Sequence, residues 1–255
     1  MTLPVYLAAG LAEAPDPVGG SELTLGEDVA GHAVRVRRTS VGEHLQVTDG
    51  QGLRVTGEVT GASAAEMTLR VTEVGREPAP ARPLVLVQAL AKQDRDLQAI
   101  EAATEVGVDA VVPWAAQRSI ADWPAKKAAK SAAKWDNMLR GAALQARRTW
   151  VPTRGELVRG TALADTFGPD DLVLVLHESA ETPLATVLAG EPAAEATRGR
   201  IVLVVGPEGG ITEAELEAFT AAGARPVRLG PTVLRASSAG PVALAVVQTL
   251  LGTWS

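Results

Sequence analysis

The spacing of apolar and polar positions changes part-way along the chain, and the change predicts two domains. Over residues 1 to about 75 the apolar residues alternate in short runs. These are Val34-Arg35-Val36-Arg37, His44-Leu45-Gln46-Val47, Leu53-Arg54-Val55-Thr56 and Thr68-Leu69-Arg70-Val71. Successive strand side chains point to opposite faces, so each run reads as a half-buried strand. Asp49-Gly50-Gln51-Gly52 predicts a hairpin loop, and Gly42, Gly57 and Gly61 mark further turns or bulges. Asp28-Val29-Ala30-Gly31-His32 predicts a short helix ahead of the first strand. Short strands so closely spaced predict a small β-barrel. The stretch Glu77-Pro78-Ala79-Pro80-Ala81-Arg82-Pro83 then interrupts the pattern. Its prolines favour extended backbone and cannot continue a strand or helix. The boundary falls there, giving domains 1–76 and 77–255.

Beyond the prolines, unbroken apolar runs alternate with helical spacing. Strands are predicted at 84–90, 110–114, 172–176, 201–205 and 227–229. Helices are predicted at 94–106, ending at Gly107, and from Pro124 to about Ala146. Strands alternating with helices predict an α/β domain with a mainly parallel sheet, whose ligand lies beyond the carboxyl ends of the strands. Lys92, His177-Glu178, the loop 206–210 and Gly230 mark those ends. A last helix over 241–251 is apolar almost all round. It is expected to be covered on more than one side, by the core and by a partner chain.

One stretch organises the second domain. Ile201-Val202-Leu203-Val204-Val205 is a buried strand; Gly206-Pro207-Glu208-Gly209-Gly210 is a tight loop; Thr212 and Glu215 form a capping box that opens a helix. Glycines beside a helix N-terminus let a ligand approach bare backbone. An ordinary βα turn fits the local pattern equally well. The loop matches neither the dinucleotide fingerprint nor the P-loop, and it holds no Lys or Arg. Glu208 would repel a phosphate, so nucleotide phosphates are disfavoured.

Composition narrows the chemistry. With 255 residues and 46% hydrophobic content the chain can bury a sizeable core. No apolar run is long enough to span a bilayer, and the first residues carry no signal-peptide pattern, so a cytoplasmic location is expected. The absence of cysteine excludes disulfides, thiolate-held metal sites and a thiolate nucleophile. No metal site and no membrane partner are expected. The net charge of −6 hides an asymmetry. Residues 118–159 carry ten Lys or Arg against three acids, a net of +7, whereas 161–223 carry two Arg against eleven acids, a net of −9. The basic stretch reads as a polyanion-facing patch or as a solvated helix face.

The motifs together resemble a known family. Val204-Val205-Gly206-Pro207-Glu208-Gly209-Gly210-Ile211-Thr212-x-x-Glu215, followed by Val227-Arg228-Leu229-Gly230-Pro231-Thr232-Val233-Leu234-Arg235, resembles the SPOUT-class 16S ribosomal RNA uracil-N3 methyltransferases, the RsmE family. Val36-Arg37-Arg38-x-x-x-Gly42-Glu43 is similar to that family's barrel motif. Lys92-x-Asp94-Arg95 with Ala103-Thr104-Glu105-Val106-Gly107-Val108 is similar to its first βα unit. Gln117-Arg118-Ser119 follows as in the family, and Trp135, Ala142, Gln145, Arg148 and Pro152 fit its long-helix motif. There are departures. Leu3-Pro4 stands where an Arg precedes the aromatic Tyr6, Ala102 replaces a Lys, Lys134 replaces an Arg, and the polar T-x-T after L-R reads Ala236-Ser237-Ser238.

The resemblance implies a small N-terminal PUA-like β-barrel joined to a SPOUT α/β domain with a deep trefoil knot. It also implies S-adenosyl-L-methionine held in the knot, a homodimer, and 16S rRNA of the small ribosomal subunit as partner. By the same resemblance the cofactor residues are Leu176, His177, Glu178, Val205, Gly206, Pro207, Glu208, Gly209, Gly210, Leu229, Gly230, Leu234, Ser237 and Ser238. Arg235 is the candidate catalytic residue, facing the uracil carbonyl oxygens; an Arg paired to a carboxylate is the alternative. RNA contacts are expected from Arg35, Arg37, Arg38, Arg54, Lys92, Arg95, Arg118, Lys126, Lys130, Arg147 and Arg148. No His stands out as a base, although His177 sits at a strand end. Most of the tryptophans beside the basic stretch are expected in the core.

Overall fold

The computed structural model describes residues 3–13, 16–190 and 199–254. Part of the acidic segment, residues 191–198, lies outside them. The chain divides into two compact units, bounded at Met1–Ala79 with Ala143–Val151 and at Pro80–Ala142 with Pro152–Ser255.

The first unit contains β1 (Val5–Leu7), β2 (Glu22–Leu25), helix α1 (Glu27–Arg35), β3 (His44–Thr48), β4 (Leu53–Ala62) and β5 (Met67–Arg76). They form a five-stranded sheet in the order β1-β3-β4-β5-β2, with β1 parallel to β3 and the other pairs antiparallel. Inward-facing Leu45, Val47, Leu53, Val55, Val59, Met67 and Leu69 are fully buried. The β4–β5 register slips at Thr56/Gly57 and again at Val59/Gly61, so the two glycines mark bulges.

The strand expected at 34–37 is instead the end of α1 and an exposed loop. Helical burial overrides the local alternation there. Val29, Ala30 and Ala33 fall on one face and are buried, with Glu27 and Asp28 in the first turn and Arg35 in the last. That arrangement of charge suits the helix dipole. The strands β1 and β2 are too short to show a period and were not expected.

Residues 143–151 return to this unit through the hairpin loop after β3. Gly52 N–H donates to the Thr149 carbonyl (3.1 Å), Val151 N–H to the Gly50 carbonyl (3.0 Å), and Thr48 Oγ1 to the Thr149 carbonyl (3.1 Å). A single boundary at residue 76 does not anticipate this return.

The second unit holds β6 (Leu84–Ala89), α2 (Arg95–Val106), β7 (Ala110–Ala115), most of α3 (Ala128–Gln145), β8 (Thr153–Arg154), β9 (Val158–Arg159), β10 (Leu172–Leu176), α4 (Leu184–Ala189), β11 (Ile201–Val205), α5 (Glu213–Ala221), β12 (Arg225–Val227) and α6 (Ala236–Leu250). The sheet order is β12-β10-β11-β6-β7-β8, with β9 also on β7, and every pairing is parallel. Central strands read as continuous apolar runs because both faces are covered. Leu86, Leu174 and Leu203 pack on one side with Ile100 of α2 and Leu244 of α6. Val87, Val175 and Val204 pack on the other with Trp114 and Phe219.

Three predicted boundaries shift. Pro124 does not open α3: Lys127 N–H bonds back to its carbonyl in a turn, and the helix starts at Ala128. Strand β12 ends at Val227, because the Arg228 N–H turns to the Thr182 carbonyl. Helix α6 begins at Ala236, five residues before Pro241. Proline has no N–H, so the Ser237 carbonyl lacks its i+4 donor, which tertiary burial of Gly240, Pro241 and Ala243 tolerates. The outer face of α6 stays open, with Val242 43% and Leu250 48% exposed.

Candidate functional site

Three segments converge beyond the carboxyl ends of β10, β11 and β12. They enclose a cleft of about 540 Å³. Its lining comprises Val205 and the loop 206–210, then Leu176, His177 and Glu178, then Val233, Leu234, Arg235, Ala236 and Ala239, with Arg95 and Arg118. An adjoining space of about 200 Å³ shares the β10 end and adds Leu229 and Gly230. Every expected cofactor residue except Ser237 and Ser238 therefore lines one of the two spaces. Those serines lie between Ala236 and Ala239 in the first turn of α6. Residues i and i+3 share a helix face, so the alanines turn toward the cleft and the serines away.

The loop is braced by its own chain. Thr212 Oγ1 accepts the Glu215 N–H (3.3 Å) and Glu215 Oε2 accepts the Thr212 N–H (3.0 Å), the capping box read from sequence. A Cβ on Gly206 would lie 2.7 Å from Ile211 Cγ1. One on Gly209 would lie 2.9 Å from Arg118 Cβ and 3.0 Å from the Arg118 carbonyl oxygen. Close approach at these glycines is thus required by neighbouring chain as well as by any ligand. Arg118 Nη1 donates to the Gly209 carbonyl (3.2 Å) and Arg95 Nη1 to Glu208 Oε1 (3.0 Å). The Arg95 partner offsets the negative charge of Glu208, so repulsion of phosphate by that carboxylate is weaker than the sequence implied. The two arginine contacts with the loop were not legible in sequence, since they join residues about a hundred positions apart.

Arg235 is the N-cap residue of α6; its carbonyl accepts the Ser238 and Ala239 N–H groups (2.9 and 3.0 Å). Its side chain is exposed on the cleft and makes no ion pair among the described residues. His177 Nδ1 lies 2.8 Å from Ser179 Oγ and accepts the Ser179 N–H (3.3 Å). His32 packs edge-on against Tyr6, and His44 is exposed on β3.

The expected RNA-contact residues fall in several places. Arg35, Arg37 and Arg38 lie at the end of α1 and in the loop after it, exposed, rather than on a strand. Arg35 pairs with Glu27 (3.3 Å). Half-buried Arg54 donates to Gln46 Oε1 (3.2 Å) and to the Arg147 carbonyl (2.7 Å), so it also has a structural role. Arg147 is exposed and Arg148 half-buried, just past α3. Lys126 and Lys130 are exposed at the start of α3. Lys92 is exposed after β6 but does not line the cleft, whereas Arg95 and Arg118 do. Trp114, Trp123 and Trp135 are buried in the core. Trp150 is half-buried and donates to the Glu77 carbonyl (3.2 Å). Among the described residues no group of His, Asp and Glu could hold a metal ion, and no helix is long and apolar enough to cross a membrane.

Comparison with known proteins fits this geometry. The profile described as an RNA methyltransferase domain matches residues 77–248, and that of the RNA methyltransferase PUA domain matches residues 25–72. The chain belongs to the RNA methyltransferase family. Within that family it is similar to the ribosomal RNA small subunit methyltransferase E of Mycobacterium bovis, at 38% identity, covering 93% of this chain and 90% of the relative. The protein of the same name from Bacillus subtilis is 28% identical, with 87% of each chain covered. Among solved structures, ribosomal RNA small subunit methyltransferase E from Neisseria gonorrhoeae, bound to S-adenosyl methionine, superposes with a TM-score of 0.84 at 25% identity over the whole of both chains. A methyltransferase from Legionella pneumophila in complex with the same cofactor superposes with a TM-score of 0.79 at 25% identity, covering 92% and 94% of the two chains. The N-terminal sheet of this methyltransferase is therefore PUA-like, and its α/β unit is of the SPOUT kind.

Proposed function

We propose that this methyltransferase uses S-adenosylmethionine to methylate N3 of a specific uridine in 16S rRNA of the small ribosomal subunit. The observation that carries the reading is Arg235, without an ion pair among the described residues, in the same cleft as the loop 206–210. The residues present suit the cofactor. Leu176, Val205, Ile211, Val233 and Leu234 offer apolar wall, and the glycine-rich loop offers main-chain groups, the mixture an adenine and a methionyl chain require. When bound, S-adenosylmethionine supplies an electrophilic sulfonium methyl.

The chain supplies the rest. Uracil N3 carries a proton, and its conjugate base is the better nucleophile, with charge spread over two carbonyl oxygens. Arg235 donates toward those oxygens where the charge develops, and stabilisation of that kind belongs to the transition state. The proton leaves N3 to water. The target base must leave its stack to enter the cleft, with Arg118 and Arg95 at the rim. Exposed Arg35, Arg37, Arg38, Lys126, Lys130 and Arg147, with half-buried Arg148, grip the RNA backbone by charge. The uncovered apolar residues Val233, at 80% exposure, Val242 and Leu250 support a homodimer through α6 and the loop before it. The trefoil knot and the cytoplasmic location belong to the same reading.

The test is nucleoside mass spectrometry of small-subunit RNA incubated with the protein and labelled S-adenosylmethionine. Labelled 3-methyluridine is expected. A label found only on ribose 2′-oxygens would replace the target, and no label would leave a non-catalytic ribosome-binding role.

A further inference from the structure

Glu215 is fully buried, yet it is a carboxylate. A buried charge is costly unless several donors hold it. Glu215 has three. Oε2 accepts the Thr212 N–H (3.0 Å) and lies 2.8 Å from Thr212 Oγ1, which closes the capping box of α5. Such a box works equally well at a helix end exposed to water, so it does not explain the burial. The third donor comes from elsewhere. Oε1 accepts the Gln117 N–H at 2.7 Å, from the chain just past β7. The next residue is Arg118, whose Nη1 reaches the Gly209 carbonyl and whose Cβ packs where Gly209 has none. The contacts form a closed ring. It runs from Gly209 through Thr212 and Glu215 to Gln117, and returns through Arg118 to Gly209.

We infer that Glu215 is a positioning residue, which fixes Arg118 against the loop 206–210 and so couples the arginine rim of the cleft to the wall proposed to hold the cofactor. The inference rests on the methyl-transfer reading given above. Glu215 itself lines neither space of the cleft. It acts through the Gln117 main chain, so its effect on the cleft comes through the placement of Arg118 and of the loop. The Glu215→Gln variant keeps the shape but exchanges one acceptor for an NH₂ donor. Whichever way the amide turns, either Thr212 N–H or Gln117 N–H faces another donor.

The experiment is a double-mutant cycle of E215Q and R118A in the full chain, with kcat for methylation of small-subunit RNA and calorimetric affinity for S-adenosylmethionine. Hydrogen exchange of the Gln117 amide is followed in parallel. E215Q is expected to lower kcat about ten-fold or more, since misplacement by an ångström is costly, and to change cofactor affinity less than about three-fold. In the R118A background E215Q should lower kcat less than about two-fold further, because residues acting as one unit are not additive. The Gln117 amide should exchange at least about ten-fold faster in E215Q than in the native protein. Should E215Q lose its cooperative melt, T212V, which removes the hydroxyl at the other carboxylate oxygen, serves in the same cycle. Fully multiplicative effects on kcat, or unchanged Gln117 exchange, would overturn the inference. A native protein that transfers no methyl marks failure of the functional reading instead, and the exchange measurement then decides alone whether Glu215 holds this segment.

Discussion

Replacing Gly209 by Ala tests whether the loop 206–210 is shaped by steric fit. The added methyl would sit 2.9 Å from Arg118 Cβ and 3.0 Å from the Arg118 carbonyl oxygen. Carbon atoms in contact settle at about 3.5–4.0 Å, so the methyl would be roughly 0.6–1.1 Å too close to Arg118 Cβ. Backbone conformation is not the obstacle, because Gly209 lies outside the left-handed region. Nor can the neighbour swing aside, since the clashing oxygen is main chain and the adjoining Gln117 N–H is held by Glu215. The loop itself must shift. Overpacking of this kind costs about 1–3 kcal/mol. If that cost falls on the bound state, affinity for S-adenosylmethionine drops about 5- to 150-fold. Calorimetry measures the affinity and a thermal melt separates it from global stability. Gly210→Ala is the contrast. A Cβ there meets only Arg118 Nη1 at 3.8 Å, but φ is +75°, so its cost of about 1–2 kcal/mol is conformational. A Gly209→Ala protein with native affinity and native melting temperature would refute the steric account.

Three further outcomes are expected. Arg235→Ala should cut kcat about 10²- to 10³-fold with cofactor affinity unchanged, as removal of a charge-stabilising donor does; native turnover in single-turnover assays would remove Arg235 from the mechanism. Phe219, fully buried with ring centroids 5.4 Å from Trp114 and 5.9 Å from Phe167, should cost about 3–5 kcal/mol when cut to Ala, measured by urea unfolding; under 1 kcal/mol would mean the site collapses around the loss. Asp171 sits between opposing effects. Burial raises its pKa, while hydrogen bonds from the Arg200 side chain and from the Arg200 and Gly168 N–H groups lower it, and the net is a value below the usual carboxylate range. A depressed carboxylate contributes stability above its unfolded pKa of about 3.9 and loses it as pH falls toward the folded value. Asp171→Asn should therefore be less stable at neutral pH, with the gap closing below about pH 4. A gap independent of pH would contradict this assignment.

How much was legible depended on whether the cause was local. The buried strands 172–176 and 201–205 were placed to the residue, because an unbroken apolar run reflects burial on both faces whatever the fold around it. The helix ending at Gly107 was legible for a similar reason: a left-handed residue (φ +103°) suits glycine. The region 34–37 misled because two Val-Arg pairs alternate like a strand, while the residues that decide its helix, Val29, Ala30 and Ala33, lie just upstream and act by packing. Pro124 and Pro241 misled in opposite ways. The first fits a helix start that the chain does not use, and the second lies inside a helix that burial sustains.

The sequence by itself determined the alternation of strand and helix, the capping box at Thr212, and the set of residues around the loop 206–210, since each depends on neighbours a few positions apart. Only the tertiary structure decided what those residues face. It seated Arg118 on Gly209, paired Arg95 with Glu208, left Arg235 without an ion pair among the described residues, and turned Ser237 and Ser238 from the cleft in favour of Ala236 and Ala239. It also brought residues 143–151 back to the N-terminal unit. Contacts of this kind join residues about a hundred positions apart, and no periodicity or local propensity encodes them. They exist once the parallel sheet has set its strand order, because that order decides which loops emerge side by side.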